Sequence, residues 1–219
     1  MIEIKHLSKI IDKNIILDDI NMKLDYGKVY GLVGRNGCGK TMLMRHMLGF
    51  VYSTKGSITI DGKVLGKDID MPENVGAIIE NPGFIPEYPG FKNLKILAAI
   101  KGKIKNDGIR EAMKLTGLDP DDKKHVGKYS LGMKQRLGIA QAVMENPDIL
   151  LLDEPMNGLD NEGVQEIRKL LLKRKEMGNL IVIASHNEED IRVLCDEIFY
   201  FDKGKIINTK QNVHEKRVI

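Results

Sequence analysis

The chain has 219 residues, of which 42% are hydrophobic and 30% are charged, a composition typical of one ordinary globular domain. Its 34 basic and 31 acidic residues nearly balance, so the net charge of +3 gives little support for nucleic acid as a partner. The longest apolar runs fall far short of the roughly 20 residues that span a bilayer, and the two cysteines are too few for a disulfide scaffold, which indicates a reducing compartment.

The N-terminal segment predicts a strand rather than a targeting sequence, because charged and apolar residues alternate over Met1–Leu7. The next motif, GRNGCGKT at residues 34–41, fits the phosphate-binding pattern GxxxxGK(S/T). The apolar run Val29–Val33 before it predicts a buried strand, and Thr41–Leu48 after it predicts a helix whose N-terminus faces the phosphates. A glycine-rich turn that binds nothing is the alternative, but strand, glycines, lysine and helix stand in register for a phosphate site.

Each residue type in this loop suits a phosphate ligand. The glycines permit positive φ angles and a close backbone approach, so that backbone N–H groups can surround a β-phosphate. Lys40 is placed to reach the β- and γ-phosphates, and the hydroxyl of Thr41 is placed to bind Mg²⁺.

Three elements are predicted next along the chain: a strand at Val75–Ile79 that ends at Glu80, and helices at Phe91–Lys101 and Asp107–Gly117. The string YSLGMKQR at residues 129–136 then leads into a predicted helix at Met133–Glu145. Ser130 and the backbone N–H of Gly132 would lie at the start of this helix, where its dipole favours an anion. Taken alone, the string is equally compatible with an amphipathic core helix that begins at a serine cap.

The motif DILLLDEP covers Asp148–Pro155. Its apolar run Ile149–Leu152 predicts a strand that is buried on both faces of a parallel sheet. Asp153 is placed to hold Mg²⁺, and Glu154 is placed to polarise the water that attacks a γ-phosphate. A hydrophobic strand followed by two acids is common, so a purely structural role stays open at this point.

The remaining elements follow in order. Asp160 is the predicted N-cap of an amphipathic helix at Asn161–Met177. The strand predicted at Leu180–Ala184 leads to Ser185 and His186, and a hairpin is predicted at Glu197–Thr209.

In this order the motifs resemble those of ATP-binding cassette (ABC) proteins, and the resemblance extends from Ile2 to about Ile207. YSLGMKQR is similar to the family signature LSGGQxQR: Ser130, Gly132, Gln135 and Arg136 match, whereas Leu131 and Met133 stand for the first Gly and the first Gln. Asn157–Asp160 resembles the D-loop, and His186 resembles the switch histidine. The resemblance implies an α/β P-loop NTPase fold, with residues 1–219 as one ABC ATPase domain. It also implies an antiparallel β subdomain, from residues 1–24 and 57–60, and a helical subdomain inserted at about residues 84–146.

The resemblance implies ATP hydrolysis with ATP and Mg²⁺ as cofactors. Glu154 and His186 would be catalytic, and Thr41, Glu80 and Asp153 would hold the metal. The implied ATP-binding residues are Ile11, Gly34, Arg35, Asn36, Gly37, Cys38, Gly39, Lys40, Thr41, Met42, Ser130, Gly132 and Met133. In the family the signature residues face ATP on a partner subunit, which implies a head-to-tail, ATP-dependent homodimer or a pair with a paralogous cassette.

Two positions depart from the family pattern. Glu80 stands where a Gln is usual, and although a carboxylate still suits Mg²⁺, we expect its added negative charge to weaken ATP affinity or slow hydrolysis. Ile11 stands where a Tyr often stacks on adenine, so we expect weaker discrimination between ATP and GTP.

The strings IENPGF, YSLGMKQRLGIA and DEPMNGLD are similar to the ATPases of bacterial bacitracin-resistance and lantibiotic-immunity exporters. This branch implies a cytoplasmic subunit, held at the inner face of the membrane by a separate multi-pass permease that exports an antimicrobial peptide or drug. Phe84, Ile85 and Phe91, in the segment Pro82–Phe91, are expected where the family's coupling helices dock.

Two other functions are weaker candidates. A soluble ABC ATPase of translation or DNA maintenance would carry a second cassette or a long coiled-coil insertion. A nucleotide-binding module without catalysis is disfavoured because Lys40, Asp153, Glu154 and His186 are all present.

Overall fold

The computed structural model describes residues 1–80 and 83–212, so that Pro82 of the expected docking segment lies outside the described residues. The strands of the described part are β1 (Ile2–Ile11), β2 (Asn14–Leu24), β3 (Val29–Val33), β4 (Lys55–Ile60), β5 (Lys63–Val64), β6 (Val75–Ile78), β7 (Ile149–Asp153), β8 (Leu180–Ala184), β9 (Glu197–Asp202) and β10 (Lys205–Gln211). The α-helices are α1 (Lys40–Met47), α2 (Gly90–Lys101), α3 (Asn106–Leu115), α4 (Leu131–Val143), α5 (Asn161–Glu176) and α6 (Glu188–Leu194), with a 3-10 turn at Val126–Lys128.

Two sheets organise the molecule. The first is antiparallel, with strand order β2-β1-β4-β5, and the second has the order β10-β9-β3-β8-β7-β6. Strands β6, β7, β8, β3 and β9 of the second sheet run parallel, and β10 pairs with β9 in the antiparallel sense. Helices α2, α3 and α4 lie in sequence between β6 and β7, as expected of a helical insertion.

The central strands are buried on both faces, as their uninterrupted apolar sequences predict. Leu150 and Leu152 of β7 pack into a core that α4 and α5 cover, whereas Ile149 and Leu151 pack into a second core shared with α1 and the antiparallel sheet. Helix α1 is therefore held between the two sheets, and its first turn lies at the carboxyl end of β3, the place where parallel α/β sheets bind ligands.

The predicted helices and strands are confirmed, with ends that shift by at most four residues. Ser130 is the N-cap of α4, because its side chain accepts a hydrogen bond from Met133 N at 3.2 Å. Asp160 caps α5 in the same way, through Gly163 N at 2.9 Å. Within the described ranges, none of the helices is long and apolar enough to cross a bilayer.

Candidate nucleotide site

The loop between β3 and α1 depends on its glycines at three different positions. Gly37 and Gly39 have φ angles of 78° and 112°, which other residues rarely adopt. Gly34 has no such angle, but a Cβ there would lie 2.4 Å from the carbonyl oxygen of Phe201. The loop is thus fixed in a tight curl whose backbone N–H groups stand at the N-terminus of α1, where they can bind an anion.

Lys40, the first residue of α1, folds its side chain back over this curl. Its ammonium group donates to the carbonyl oxygens of Gly34 and Arg35, at 2.6 and 3.2 Å. The residue is only 6% exposed, so the loop holds a cation in place at the site where phosphates would bind.

Thr41 joins the loop to the end of β7. Its hydroxyl donates a hydrogen bond of 2.6 Å to Oδ2 of Asp153, a residue 112 positions later. Parallel pairing of β7 with β8, and of β8 with β3, brings these two residues to the same edge of the sheet. A hydroxyl and a carboxylate in contact here form a pair of hard oxygen ligands of the kind that Mg²⁺ prefers.

Glu154 and His186 form a second pair, at the ends of β7 and β8. Nδ1 of His186 and Oε1 of Glu154 are 2.8 Å apart. Glu154 has a φ of 48°, and its backbone N–H donates to the carbonyl oxygen of Ala184 at 2.8 Å, so the direction of its side chain is set by the neighbouring strand. The histidine side chain is 73% exposed and the glutamate side chain is 28% exposed, which leaves the pair accessible to water and substrate.

Glu80 follows β6 and meets an arginine of α1. Oε1 of Glu80 accepts a hydrogen bond of 2.6 Å from Nη2 of Arg45. Glu80 also has a left-handed backbone, with a φ of 60°, which is uncommon for a residue other than glycine. The unusual carboxylate at this position therefore has a cationic partner within the chain.

Thr41, Asp153, Glu154 and Glu80 line one cavity of about 510 Å³, whereas their partners Arg45 and His186 do not, and His186 lines a neighbouring cavity instead. Its lining residues are Ile16, Asn36, Gly37, Gly39, Lys40, Thr41, Met42, Glu80, Gln135, Asp153, Glu154 and Asn157. In the described part of the chain, His, Cys, Asp and Glu nowhere form a group of three that could hold a metal ion by itself. A Mg²⁺ ion would fit here through Thr41 and one or two carboxylates, with phosphate oxygens and water completing its shell.

The signature residues Ser130, Gly132 and Met133 do not line this cavity. They stand at the start of α4, against the segment that follows Glu154, and a Cβ on Gly132 would lie 2.7 Å from the carbonyl oxygen of Gly158. Ser130 is exposed. The residue that begins this helix is thus accessible to solvent outside the cavity.

Ile11, the expected base contact, lies in β1 opposite Asn14 and is 40% exposed, but it is not among the residues that line the cavity. Ile16 of β2 lines the cavity instead. The sequence does not single out Ile16, because its position beside the loop depends on how β2 packs against that loop: a Cβ on Gly39 would lie 3.1 Å from the carbonyl oxygen of Ile16.

Two further residues were missed. Arg45 is four residues after Thr41 and so shares its face of α1, a spacing that could have suggested it. Gln135 matches the family signature, and its side-chain amide donates to the carbonyl oxygens of Glu154 and Pro155 at 3.2 and 3.0 Å. It therefore links α4 to the backbone that carries the Glu154 side chain.

Known proteins of one family share these motifs with this chain. The pattern of the ABC transporter family matches residues 17–157. The Bacillus subtilis protein YybJ, an ABC transporter ATP-binding protein, is 46% identical over 99% of this chain and 99% of its own length. The bacitracin transport ATP-binding protein BcrA of Enterococcus faecalis is 41% identical over 94% of this chain and 68% of its own length.

A second named relative and a solved structure agree with these matches. The lantibiotic transport ATP-binding protein SrtF of Streptococcus pyogenes is 38% identical over 96% of this chain and 91% of its own length. The dimeric ABC transporter cassette MJ0796 superposes with a TM-score of 0.87 at 22% identity, over 97% of this chain and 99% of that chain. At this identity the structural likeness concerns the fold.

Proposed function

This chain belongs to the ABC transporter family, and from that premise we propose which of its residues bind ATP, cleave it and couple cleavage to transport. It is an ATP-binding subunit of a transporter and an ATPase, which confirms the expectation drawn from the motifs. The comparisons give no support for a role in translation or DNA maintenance. We also propose that residues 1–219 are a single ATP-binding domain, with a helical subdomain at about residues 84–146.

In the proposed binding step, the loop 34–41 surrounds the β-phosphate with its N–H groups. The ammonium of Lys40 leaves the carbonyl oxygens of Gly34 and Arg35 and turns to the β- and γ-phosphates, a short movement because it already lies within the curl. Ile16, and Ile11 from the neighbouring strand, supply aliphatic contacts to the base.

We propose Thr41, Asp153 and Glu80 as the residues that hold Mg²⁺. The metal would neutralise charge on the phosphate oxygens when bound. Glu80→Gln should alter the Mg²⁺ dependence of hydrolysis, because an amide is a weaker ligand for this ion than a carboxylate. An unchanged Mg²⁺ titration and an unchanged turnover would place Glu80 outside the metal shell.

In the proposed cleavage step, Glu154 accepts a proton from the attacking water, and His186 orients Glu154 through the 2.8 Å contact at Nδ1. To donate to the γ-phosphate, the histidine must carry its proton on Nε2, so in the neutral imidazole this contact would replace the one that Nδ1–H makes to Glu154. Water must reach the γ-phosphate on the side of Glu154, which the open cavity permits.

Closure of the site would require a second cassette. Ser130, Gly132 and Met133 stand away from the cavity of their own chain, at an exposed helix N-terminus that suits the γ-phosphate held by a partner. We propose a head-to-tail dimer with two ATP sites, formed by two copies of this chain or with a paralogous cassette. Closing and opening of this dimer would drive the permease.

The single observation that carries the ATP site is the 2.6 Å hydrogen bond between Thr41 and Asp153, because it joins the phosphate loop to the strand that ends in both acids. The purified chain should hydrolyse ATP, and Lys40→Ala should abolish binding of a fluorescent ATP analogue. Binding by Lys40→Ala with unchanged affinity would overturn the proposed site.

For the permease contact we propose an apolar groove of about 770 Å³, which is lined in part by Leu48, directly after α1, and by Val75 and Ala77 of β6. Phe50 and Met71 line it and are 60% and 49% exposed, and exposed apolar patches of this kind mark interaction sites. Lys101, Lys103 and Glu73 line it as well, and Lys101 already pairs with Glu145 at 3.3 Å, so an amphipathic loop of the permease would suit it.

The apolar side chains of the expected docking segment differ in burial, and this decides which of them can be changed in a test. Phe84 and Phe91 are partly buried and pack against the core, whereas Ile85 is 40% exposed. A charge at Phe84 would therefore disturb folding as well as docking. Ile85→Asp and Phe50→Asp should both reduce co-purification of the permease, and a permease retained by both variants would refute the proposed contact.

The substrate is proposed from the relatives. Because BcrA and SrtF are named for bacitracin and lantibiotic transport, we propose that this chain, at the inner face of the membrane, drives export of an antimicrobial peptide. Cells that express the chain with its permease should tolerate bacitracin or a lantibiotic better than cells that carry Lys40→Ala. Equal tolerance would direct the search to another class of substrate.

A further inference from the structure

Helix α1 presents two side chains that each hold a carboxylate of the cavity. Thr41 and Arg45 are four residues apart and so lie on the same face of the helix. Thr41 donates to Asp153 at 2.6 Å, and Arg45 donates to Glu80 at 2.6 Å. The second contact uses an arginine that belongs to none of the motifs.

The charges of the cavity explain why this contact matters. Three carboxylates line the cavity, those of Glu80, Asp153 and Glu154, whereas Lys40 is the cation among its lining residues. Phosphate groups add further negative charge, so a carboxylate without a cationic partner would oppose their binding. Arg45 supplies such a partner to Glu80, the one acid of the three that departs from the family pattern.

The contact between Arg45 and Glu80 also affects how the Glu80 carboxylate is oriented. The left-handed backbone at Glu80 sets where its side chain leaves the end of β6, and Arg45 meets the carboxylate at Oε1. Because Arg45 bonds to Oε1, the same contact restricts the directions in which Oε2 can point. The guanidinium can therefore both compensate the charge and orient the carboxylate.

We propose that Arg45 is a positioning residue of the ATP site, which compensates and orients Glu80 so that an acid at this position does not repel the γ-phosphate. This inference rests on the proposed function, because it assumes that the γ-phosphate binds beside Glu80. The competing interpretation is an ordinary surface ion pair, since the side chains are 36% and 62% exposed, and such a pair would leave nucleotide binding unchanged.

The test compares Arg45→Gln, Glu80→Gln and the double variant by the anisotropy of a fluorescent ATP analogue in Mg²⁺-free buffer. Glutamine keeps a good helix propensity, so the change at Arg45 removes charge without weakening α1. Arg45→Gln should raise the dissociation constant on the order of tenfold, the size of effect that Coulomb's law gives for unit charges about 10 Å apart near a protein surface. The loss should grow at low salt, where the repulsion is less screened.

The double variant gives the decisive comparison. Without the carboxylate there is no charge to compensate, so Arg45→Gln/Glu80→Gln should bind within about twofold of Glu80→Gln alone. Arg45→Lys keeps the charge and should stay within about threefold of wild type. A tenfold loss in Arg45→Lys, or an equal loss from Arg45→Gln in both backgrounds, would overturn the inference.

The chain offers a matched control in Arg110, which donates to Asp121 at 2.7 Å with side chains 38% and 69% exposed, away from the cavity. Arg110→Gln should bind the analogue as wild type does. Lys40→Ala distinguishes a failure of the proposed ATP site from a failure of the role of Arg45 alone. If Lys40→Ala loses binding while Arg45→Gln does not, only the role of Arg45 fails; if Lys40→Ala binds normally, the proposed ATP site itself fails.

Discussion

Replacing Glu154 with Gln removes a proton acceptor while it keeps the shape of the side chain. Two contacts hold the backbone at this position independently of the carboxylate: Glu154 N donates to Ala184 O at 2.8 Å, and Gln135 donates to Glu154 O at 3.2 Å. The side chain itself is bonded to His186, whose imidazole can pair with an amide as well as with a carboxylate. We therefore expect the variant to fold normally.

The expected effects on rate and on stability differ widely in size. Loss of a positioned general base typically lowers turnover by about 10²–10⁴-fold, which corresponds to roughly 3–5 kcal/mol in the activation free energy. Because His186 is largely exposed, loss of the carboxylate that it contacts should change the free energy of unfolding by less than about 1 kcal/mol. Catalysis should fail in a protein of nearly unchanged stability.

The assay combines steady-state ATP hydrolysis, thermal unfolding and gel filtration with ATP. With Lys40, Thr41 and Asp153 intact, ATP should still bind, and the uncleaved complex should accumulate as a species of twice the monomer mass. Glu145→Gln is a matched control, since it removes a partly buried carboxylate that pairs with Lys101 at 3.3 Å, outside the cavity. Near-normal hydrolysis by Glu154→Gln would remove Glu154 from the mechanism and direct attention to His186.

Three more predictions follow from named contacts. His186→Ala should lower turnover by about 10²-fold with little change in ATP affinity, measured by hydrolysis and anisotropy. Arg168→Ala should lower the free energy of unfolding in urea by about 3–5 kcal/mol, because it leaves Asp190, 1% exposed, without the guanidinium that donates to it at 2.6 Å; a loss below 1 kcal/mol would refute this. Burial lowers the pKa of His46 below its usual 6.5, so the native state disfavours the protonated form. The free energy of unfolding should therefore keep its full value above about pH 6.5 and decrease as the pH falls below it. His46→Gln should flatten this pH dependence in urea titrations.

The sequence by itself determined the elements and the chemistry that their ends carry. Uninterrupted apolar runs such as Ile149–Leu152 identify the central strands, because only a strand covered on both faces needs no alternation. The loop 34–41 is readable for a similar reason: its glycines meet local requirements, positive φ at Gly37 and Gly39 and a close backbone contact at Gly34. Constraints of this kind depend on residues that are adjacent in sequence, so the sequence alone reveals them.

Only the tertiary structure decided which strand and helix ends lie together and which side chains contact each other there. Strand order brings Thr41 to Asp153 and Glu154 to His186, and register across the sheets places Ile16 rather than Ile11 at the cavity. The ion pair of Arg45 with Glu80 depends on how α1 packs beside the end of β6. Contacts between residues far apart in sequence result from packing of whole elements, which no local pattern specifies, and these contacts set the charge balance of the site.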